Sequence, residues 1–287
     1  VYQTMLQLSE RARKNPQPFL VECRTFRMRG HEEASGTKYI PQQLFEEWAK
    51  KDPILTFENE LLKQGIISET EKEAIHDSIK KEISDAVNEV LAEEEIIPNI
   101  HEELEDVYAP HSAEIHEPKG NSKNIRFIDA ISEALKQSLR KYDNLVLMGQ
   151  DIAEYGGAFK VTEGFVEEFG RDKIRNTPLC ESAILGAGMG LSIKGWKSVI
   201  EMQFADFVTC GFTQIVNNLA KSHYRWAQNA DVVVRMPTGA GVGAGPFHSQ
   251  SNEAWFFHVP GLKIVYPAFP YDAKGLLIAA IEDNDPV

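Results

Sequence analysis

The sequence predicts an α/β protein whose second half is a layered, mostly parallel sheet, and three observations carry that prediction. After Asn124, short apolar runs alternate with helix-length stretches, the pattern of right-handed βαβ crossovers. Over 287 residues, 43% apolar and 25% charged is the balance of a globular protein with a real core. An acidic stretch separates two regions of different texture, and the length accommodates two domains at roughly 100–200 residues each. From Glu69 to Glu117 there are 16 acidic residues against Lys72, Lys80 and Lys81, so this stretch carries the whole formal charge of −13. The rest balances at 27 against 27, which leaves no basic footprint for nucleic acid. The acidic run reads as a solvated helix face and linker.

Val1–Lys14 reads as a helix entered without a cap, and the sequence stops at Asp283–Val287 where a turn leads toward a strand, so a piece of a longer polypeptide is expected. Phe19–Phe26 alternates and reads as a strand, running into Arg27-Met28-Arg29-Gly30-His31 and a polar loop at Glu32–Lys38. Gln42–Lys50 reads as a short helix. Ser68-Glu69-Thr70-Glu71 has the form of a capping box, and Ile75, Ile79, Ile83 and Val87 then make a narrow apolar stripe. The stretch from about Glu94 to Ser122, with Pro98, Pro110, Pro118 and Gly120, reads as an interdomain linker. Beyond it the expected helices are Ile125–Lys141, Ser182–Ile193, Asp206–Ala227 and Tyr271–Ile281. The expected strands are Leu145–Gly149, Ser198–Met202, Asp231–Met236 and Lys263–Tyr266. No apolar run reaches the roughly 18 residues of a membrane span, and no signal peptide is visible. Cys23, Cys180 and Cys210 are odd in number and lack metal-ligand spacing, which suits a reducing cytosol.

Several positions are candidates for chemistry. Glu181 stands at a strand-to-helix junction, either favouring a helix N-terminus or, partly desolvated, sharing a proton with a heteroaromatic ring. Gly239, Gly241 and Ala244 match a dinucleotide-binding turn, but Pro246 interrupts the helix start and no acid follows the next strand. His248 follows that glycine loop, and His31 lies at a strand end among Arg24, Arg27 and Arg29, a cluster suited to an anion. Gly186, Gly188 and Gly190 suit close helix packing. Phe204 and Phe207, beside Gln203, can stack on an aromatic ring or fill a core.

The text FKVTEGF, TPLCES, EMQFADF, PFHSQSNEAWF, HVPGLKIVYP and YDAKGLL resembles the N-terminal half of the β chain of thiamine-diphosphate-dependent 2-oxo acid dehydrogenases, the E1 component. Phe19–Val90, with RMRGH and FEEWAKKDPI, resembles the C-terminal part of the α chain. The resemblance implies a fused α–β chain of which this is the middle: residues 1–93 from a diphosphate-binding unit, a linker at 94–123, and a pyrimidine-binding domain at 124–287. It implies that Glu181 bonds the cofactor's aminopyrimidine nitrogen and so lets the thiazolium carbon lose its proton. Leu179, Gln203, Phe204 and Phe207 would line the pyrimidine pocket, and Arg27 would stand beside the cofactor phosphates. His248 and His31 would be the two active-site histidines that assist substrate binding and acyl transfer to a lipoyl arm on an E2 partner. The implied reaction is oxidative decarboxylation of a 2-oxo acid, branched-chain first and pyruvate next, in a dimer of fused chains. Mg²⁺ ligands would lie upstream, and a bound K⁺ is a family feature. The alternatives are another enzyme of the same cofactor group, of transketolase or 1-deoxyxylulose-phosphate-forming type, or a non-catalytic interaction piece. Two departures stand out. Phe207 replaces a tyrosine of many relatives, and Glu32-Glu33-Ala34-Ser35-Gly36 replaces a serine-rich phosphorylatable loop, which speaks against kinase control there.

Overall fold

Four parallel strands in the order β2-β1-β3-β4 form the sheet of the second half: β1 Leu145–Gly149, β2 Ile174–Asn176, β3 Lys197–Glu201 and β4 Val232–Arg235. The structure is a computed structural model that describes every residue except Glu33, Ser35, Ala113, Glu114, His116, Pro118, Lys119 and Asn121. The chain divides into two units, Val1–Ile96 and Ile97–Val287.

The first unit is helical. It contains α1 (Tyr2–Lys14), α2 (Gln42–Ala49), α3 (Pro53–Lys63) and α4 (Glu69–Ala92). Helix α3 was not expected, although its signals are explicit: Asp52 accepts from the amides of Ile54 and Leu55, and Pro53 takes the first turn. The capping box at α4 forms as read, with Ser68 and Glu71 each bonding the other's backbone N–H. Phe19–Phe26 is not a strand. A strand needs a neighbour for its amides and carbonyls, and no described residue of this unit lies in one. Phe26 packs instead on Phe45 (ring centroids 5.3 Å apart) and Trp48 (5.8 Å). Gly30 is the unit's only buried described residue, because the backbone doubles back on it: a Cβ there would fall 2.5 Å from the Gly36 carbonyl oxygen.

In the second unit, part of the stretch read as linker is structured. Helix α5 (Ile100–Glu105) is capped by Asn99, and beyond it the Ala109 amide bonds the Asp285 carboxylate at 3.0 Å while Tyr224 donates to Glu103. Proline content and missing periodicity hid these anchors, which are tertiary.

Strand β1 is buried at all five residues, as a parallel strand covered on both faces must be. Its alternate residues feed two cores. Leu145 and Leu147 join a cluster with Leu135 and Leu139 of α6 (Phe127–Lys141), Phe165 of α7 (Phe165–Phe169), and Leu277 and Ile281 of α10 (Pro270–Glu282). Val146 and Met148 join Ile184 and Leu185 of α8 (Glu181–Ile193), with Ile200, Ile215, Leu219 and Phe256. Of the three helical glycines only Gly188 is used for close approach, since a Cβ there would meet Ile200 and Ser198 at 3.1 Å. The expected long helix over Asp206–Ala227 is broken into a 3-10 segment (Ala205–Gly211), a π segment (Gln214–Leu219) and α9 (Ser222–Trp226). Lys263–Tyr266 is extended but joins no ladder, and β2, only three residues long, was missed.

Candidate functional site

In an open parallel sheet, ligand groups gather beyond the carboxyl ends of the strands where the strand order reverses. Here the order reverses between β1 and β3, and the segments leaving β1, β2 and β3 carry the polar and aromatic residues of interest.

Gln150 and Asp151 follow β1. Glu181 opens α8 after β2, and it is 7% exposed. Its Oε1 accepts a hydrogen bond of 3.1 Å from Gln150 Nε2, itself buried. Cys180 occupies the helix cap and makes no capping bond, so Glu181 answers a side chain across the sheet rather than only its own helix end. Beyond β3, Gln203 Nε2 donates to Asp151 Oδ2 at 3.0 Å. Phe204, Phe207 and His248 then form an edge-to-face triangle, with Phe204–His248 at 5.0 Å, Phe207–His248 at 5.4 Å and Phe204–Phe207 at 5.7 Å between ring centroids. Phe159 adds a fourth ring against Phe204 at 5.6 Å.

The glycine-rich loop that carries His248 is fastened at its base. Gln250 donates to the buried Asp206 carboxylate through its backbone N–H (3.3 Å) and its side chain (2.9 Å). Its carbonyl accepts from Thr238 Oγ1 and the Gly239 amide, and Asn252 donates to the Ala205 carbonyl at 3.0 Å. Glycine is required at Gly239, Gly243 and Gly245, all of positive φ, for the chain to turn this tightly. The loop is thus a scaffold for His248, and only a 3-10 turn, Glu253–Trp255, follows it where a dinucleotide turn needs an α-helix.

The structure therefore brings Gln203, Phe204, Phe207, His248 and Glu181 to one end of the sheet. Leu179 is there too, but it is 81% exposed. His31 and Arg27 stand exposed on the first unit. In the loop after His31, Glu33 and Ser35 lie outside the described residues, as do six residues of the 94–123 segment. Among the described residues no group of three or more His, Cys, Asp or Glu is placed to hold a metal ion. Sequence reasoning missed Gln150, Asp151, Asp206, Gln250 and Asn252. For Gln150 and Asp151 the signal was present, since they directly follow an apolar strand. The partner of the Asp206 carboxylate, Gln250, lies 44 residues away, and Asn252 lies 47 residues from the Ala205 carbonyl it bonds, distances that no spacing rule reaches.

A buried carboxylate with an amide beside it, at the same end of the sheet as a cluster of aromatic faces, suits a planar nitrogen heterocycle that is bonded at its edge and held by its face. Comparison with known proteins agrees in kind. The family model "Transketolase, pyrimidine binding domain" matches residues 123–287. The chain belongs to that family. The pyrimidine-binding domain is joined here to residues 1–100, which match "Dehydrogenase E1 component". Residues 123–287 are thus a transketolase-type pyrimidine-binding domain, and residues 1–100 are similar to part of a dehydrogenase E1 component. "2-oxoisovalerate dehydrogenase subunit beta" of Bacillus subtilis is 47% identical over 165 residues, covering 56% of this chain and 50% of that one. "Acetoin:2,6-dichlorophenolindophenol oxidoreductase subunit beta" of the same organism is 44% identical over 177 residues (57% and 52%). "Pyruvate dehydrogenase E1 component subunit beta" of Staphylococcus epidermidis is 41% identical over 162 residues (56% and 50%). The chain spans about half the length of these curated relatives.

Proposed function

We propose that this chain supplies the pyrimidine-binding side of a thiamine-diphosphate-dependent enzyme that oxidatively decarboxylates a 2-oxo acid and passes the acyl group to a lipoyl-bearing E2 partner. One observation carries the reading: the buried Glu181 carboxylate, hydrogen-bonded by Gln150 and accompanied by the Phe204–Phe207–His248 cage. When bound, thiamine diphosphate would supply an acidic thiazolium carbon, nucleophilic once its proton is removed, and an electron sink for the bond broken in decarboxylation.

The chain's own residues have separable tasks in this reading. Glu181 holds a proton at the pyrimidine ring nitrogen, Gln150 orients Glu181, and Phe204 and Phe207 pack the ring while excluding water. Gln203, fixed on Asp151, and Leu179 complete the lining. His248 stands on its fastened loop to meet substrate or the incoming acyl acceptor. His31 assists from the first unit and Arg27 favours the diphosphate there. Mg²⁺ accompanies the diphosphate, and a K⁺ ion is allowed for.

The division into an α-like unit (1–93), a connecting segment (94–123) and a β-like unit (124–287) belongs to this proposal, as does a dimer of fused chains. Branched-chain 2-oxo acids lead as substrate and pyruvate follows, a choice supported by the 47% identity to a 2-oxoisovalerate dehydrogenase subunit against 41% to a pyruvate dehydrogenase subunit. No described helix is long and apolar enough to cross a membrane, and all three cysteines are free, which supports a reducing compartment such as the cytoplasm.

The test uses the full polypeptide that carries this chain, with thiamine diphosphate, Mg²⁺ and an artificial electron acceptor. Turnover of 3-methyl-2-oxobutanoate, pyruvate and 2-oxoglutarate is compared in the parent and in Glu181→Gln. The reading expects turnover of one acid and a loss of about 10²–10⁴-fold or more in the variant, with the circular dichroism spectrum unchanged. Unaltered turnover in Glu181→Gln removes the role given to Glu181. No turnover of any 2-oxo acid, with the cofactor bound, transfers the proposal to the sugar-phosphate branch of the cofactor group.

A further inference from the structure

Asp206 is a buried carboxylate, 7% exposed, with no task in the proposed reaction. Among the described residues no Lys, Arg or His forms an ion pair with it, and the hydrogen bonds its side chain makes both come from Gln250. Burying a carboxylate without a cation is costly unless its lone pairs are answered. The core around it gives no reason for a charge, because its neighbours Ala205 and Val208 in the 3-10 segment are buried and apolar.

Nor is Asp206 needed to close the glycine loop. The Gly239 amide and Thr238 Oγ1 both bond the Gln250 carbonyl, and the buried Asn252 bonds the Ala205 carbonyl at 3.0 Å. These neutral bonds already bring the two ends of the loop together. What Asp206 adds is aim. Its Oδ1 accepts the backbone N–H of Gln250 at 3.3 Å and the side-chain Nε2–H at 2.9 Å. Two donors on one oxygen fix the Ser249–Gln250 peptide as well as the Gln250 side chain. The two preceding residues are pinned from the body of the loop, since Ser249 Oγ accepts from the Ala244 amide at 2.9 Å and the His248 amide donates to the Gly245 carbonyl at 3.3 Å. His248 is thus held by the loop on one side and by Asp206 on the other.

The place of Asp206 in the chain matters as much as its bonds. It lies between Phe204 and Phe207, whose ring centroids are 5.0 and 5.4 Å from that of His248. Edge-to-face contacts hold a ring only weakly, and the stretch 239–245 turns through three glycines of positive φ. The phenyl rings alone would leave the imidazole free to swing. A hydrogen bond to a charged group is roughly twice as strong as a neutral one, and this one starts from the short segment that also carries both phenyl faces.

We propose that Asp206 is a positioning residue: acting through Gln250, its carboxylate sets where the His248 imidazole stands against Phe204 and Phe207. In the proposed function that is the place from which His248 meets substrate or acyl acceptor, so an effect on turnover rests on that reading, whereas the placement of the ring does not.

The test has two arms, both on the full polypeptide that carries this chain. The first reads no activity. Modification of His248 by diethyl pyrocarbonate is followed by mass spectrometry, with the exposed His258 as internal standard. Gln250→Met removes the side-chain donor and leaves the backbone N–H, so it carries this arm even where Asp206→Leu, which removes the acceptor, fails to fold. Each is expected to raise the His248 rate by about tenfold, the shift that loss of one hydrogen bond to a charged group gives a local equilibrium. Asp206→Asn, which keeps an acceptor oxygen, should give a smaller rise. In the second arm, Gln250→Met is expected to lower kcat for the 2-oxo acid by about tenfold in the parent and to leave the residual rate of His248→Ala unchanged. Equal His248 modification in the parent and Gln250→Met would overturn the proposal. So would a kcat loss of the same size with and without His248, which a merely structural role gives. A parent that turns over no 2-oxo acid would remove the proposed function and leave the first arm to decide the role of Asp206.

Discussion

Glu201 and Arg235 face each other across the β3–β4 register and form an ion pair through Oε2 and Nη2, with side chains 5% and 12% exposed. The pair lies directly behind the candidate site. Glu201 immediately precedes Met202-Gln203-Phe204, its Oε1 would meet a Cβ at Gly157 at 3.0 Å, and its carbonyl oxygen would meet one at Gly149 at 2.9 Å. It thus joins the ends of three strands whose next residues form the site. Breaking such a pair leaves a charge in a poorly solvated place. Arg235→Met should destabilise the second unit by about 3–5 kcal/mol, measured by denaturant unfolding. Replacing both partners, Glu201→Leu with Arg235→Met, should restore most of the loss, because no unpaired charge then remains. A double variant as unstable as the single one would mean that the pair gives net stability rather than register. None of this was visible as a motif. A Glu ending one strand and an Arg ending another, 34 residues later, become partners only through the sheet.

At the scale of elements, local signals were most legible where the partners lie within a few residues. The capping box of α4, the amphipathic α6 and the buried run of β1 form where the sequence places them. Elements set by distant contacts were misread. Phe19–Phe26 has strand composition but no ladder to join, and the stretch after Asp206 has helical composition but is bent into 3-10 and π turns. One cause of that bending is visible at Gly261, which adopts φ +87° and presses on the end of the π segment so closely that a Cβ would lie 1.8 Å from the Ala220 carbonyl oxygen. Backbone cannot give way as a flexible side chain can. Gly261→Ala should therefore cost roughly 3 kcal/mol or more in thermal unfolding, by strain and clash together. At Gly190, which has open space around it, alanine should be tolerated and serves as the control.

In the second unit, a half-buried charge cluster lies at the amino-terminal side of the sheet, away from the candidate site. Lys263 Nζ bonds both carboxylate oxygens of Asp283 at 2.8 Å and lies 3.0 Å from Asp285, which is 1% exposed. Burial raises the Asp283 carboxyl, but the Lys263 hydrogen bond, the Asp285 amide and the Lys263 charge outweigh it and hold the group below the ordinary Asp value. Burial lowers the Lys263 ammonium, and the two carboxylates outweigh that and hold it above the ordinary Lys value. Asp231 goes the other way, raised chiefly by burial against the weaker pull of Lys197.

The signs follow from linkage. Asp283, depressed on folding, stabilises the unit above its unfolded pKa, and that contribution is lost as pH falls through the lower folded value. Lys263, elevated on folding, stabilises below its unfolded pKa and loses its contribution as pH rises through the higher folded value. Asp231 adds a small loss as pH rises through its raised value. Stability of the unit should therefore hold across neutral pH and fall below about pH 4 and above about pH 10, the ordinary Asp and Lys values. Lys263→Met should lower the neutral plateau by roughly 2–3 kcal/mol, less than for a fully buried pair because Lys263 is one-third exposed. It should also flatten the acid limb attributable to Asp283. An acid limb unchanged in Lys263→Met would exclude this cluster as its source.

By itself the sequence determined the α/β class, the two textures on either side of the acidic stretch, the capped helices and the buried central strand, because each rests on contacts between near neighbours. It also marked Glu181, Gln203, Phe204, Phe207 and His248 as candidates and, through resemblance, the family. Only the tertiary structure decided that these residues meet at the reversal in strand order, that Gln150 holds Glu181, that Asp206 and Gln250 fasten the histidine loop, and that Phe19–Phe26 finds no sheet. The physical reason is the same throughout. Hydrogen bonds and burial between residues tens of positions apart are set by strand order and register, and no local period encodes them.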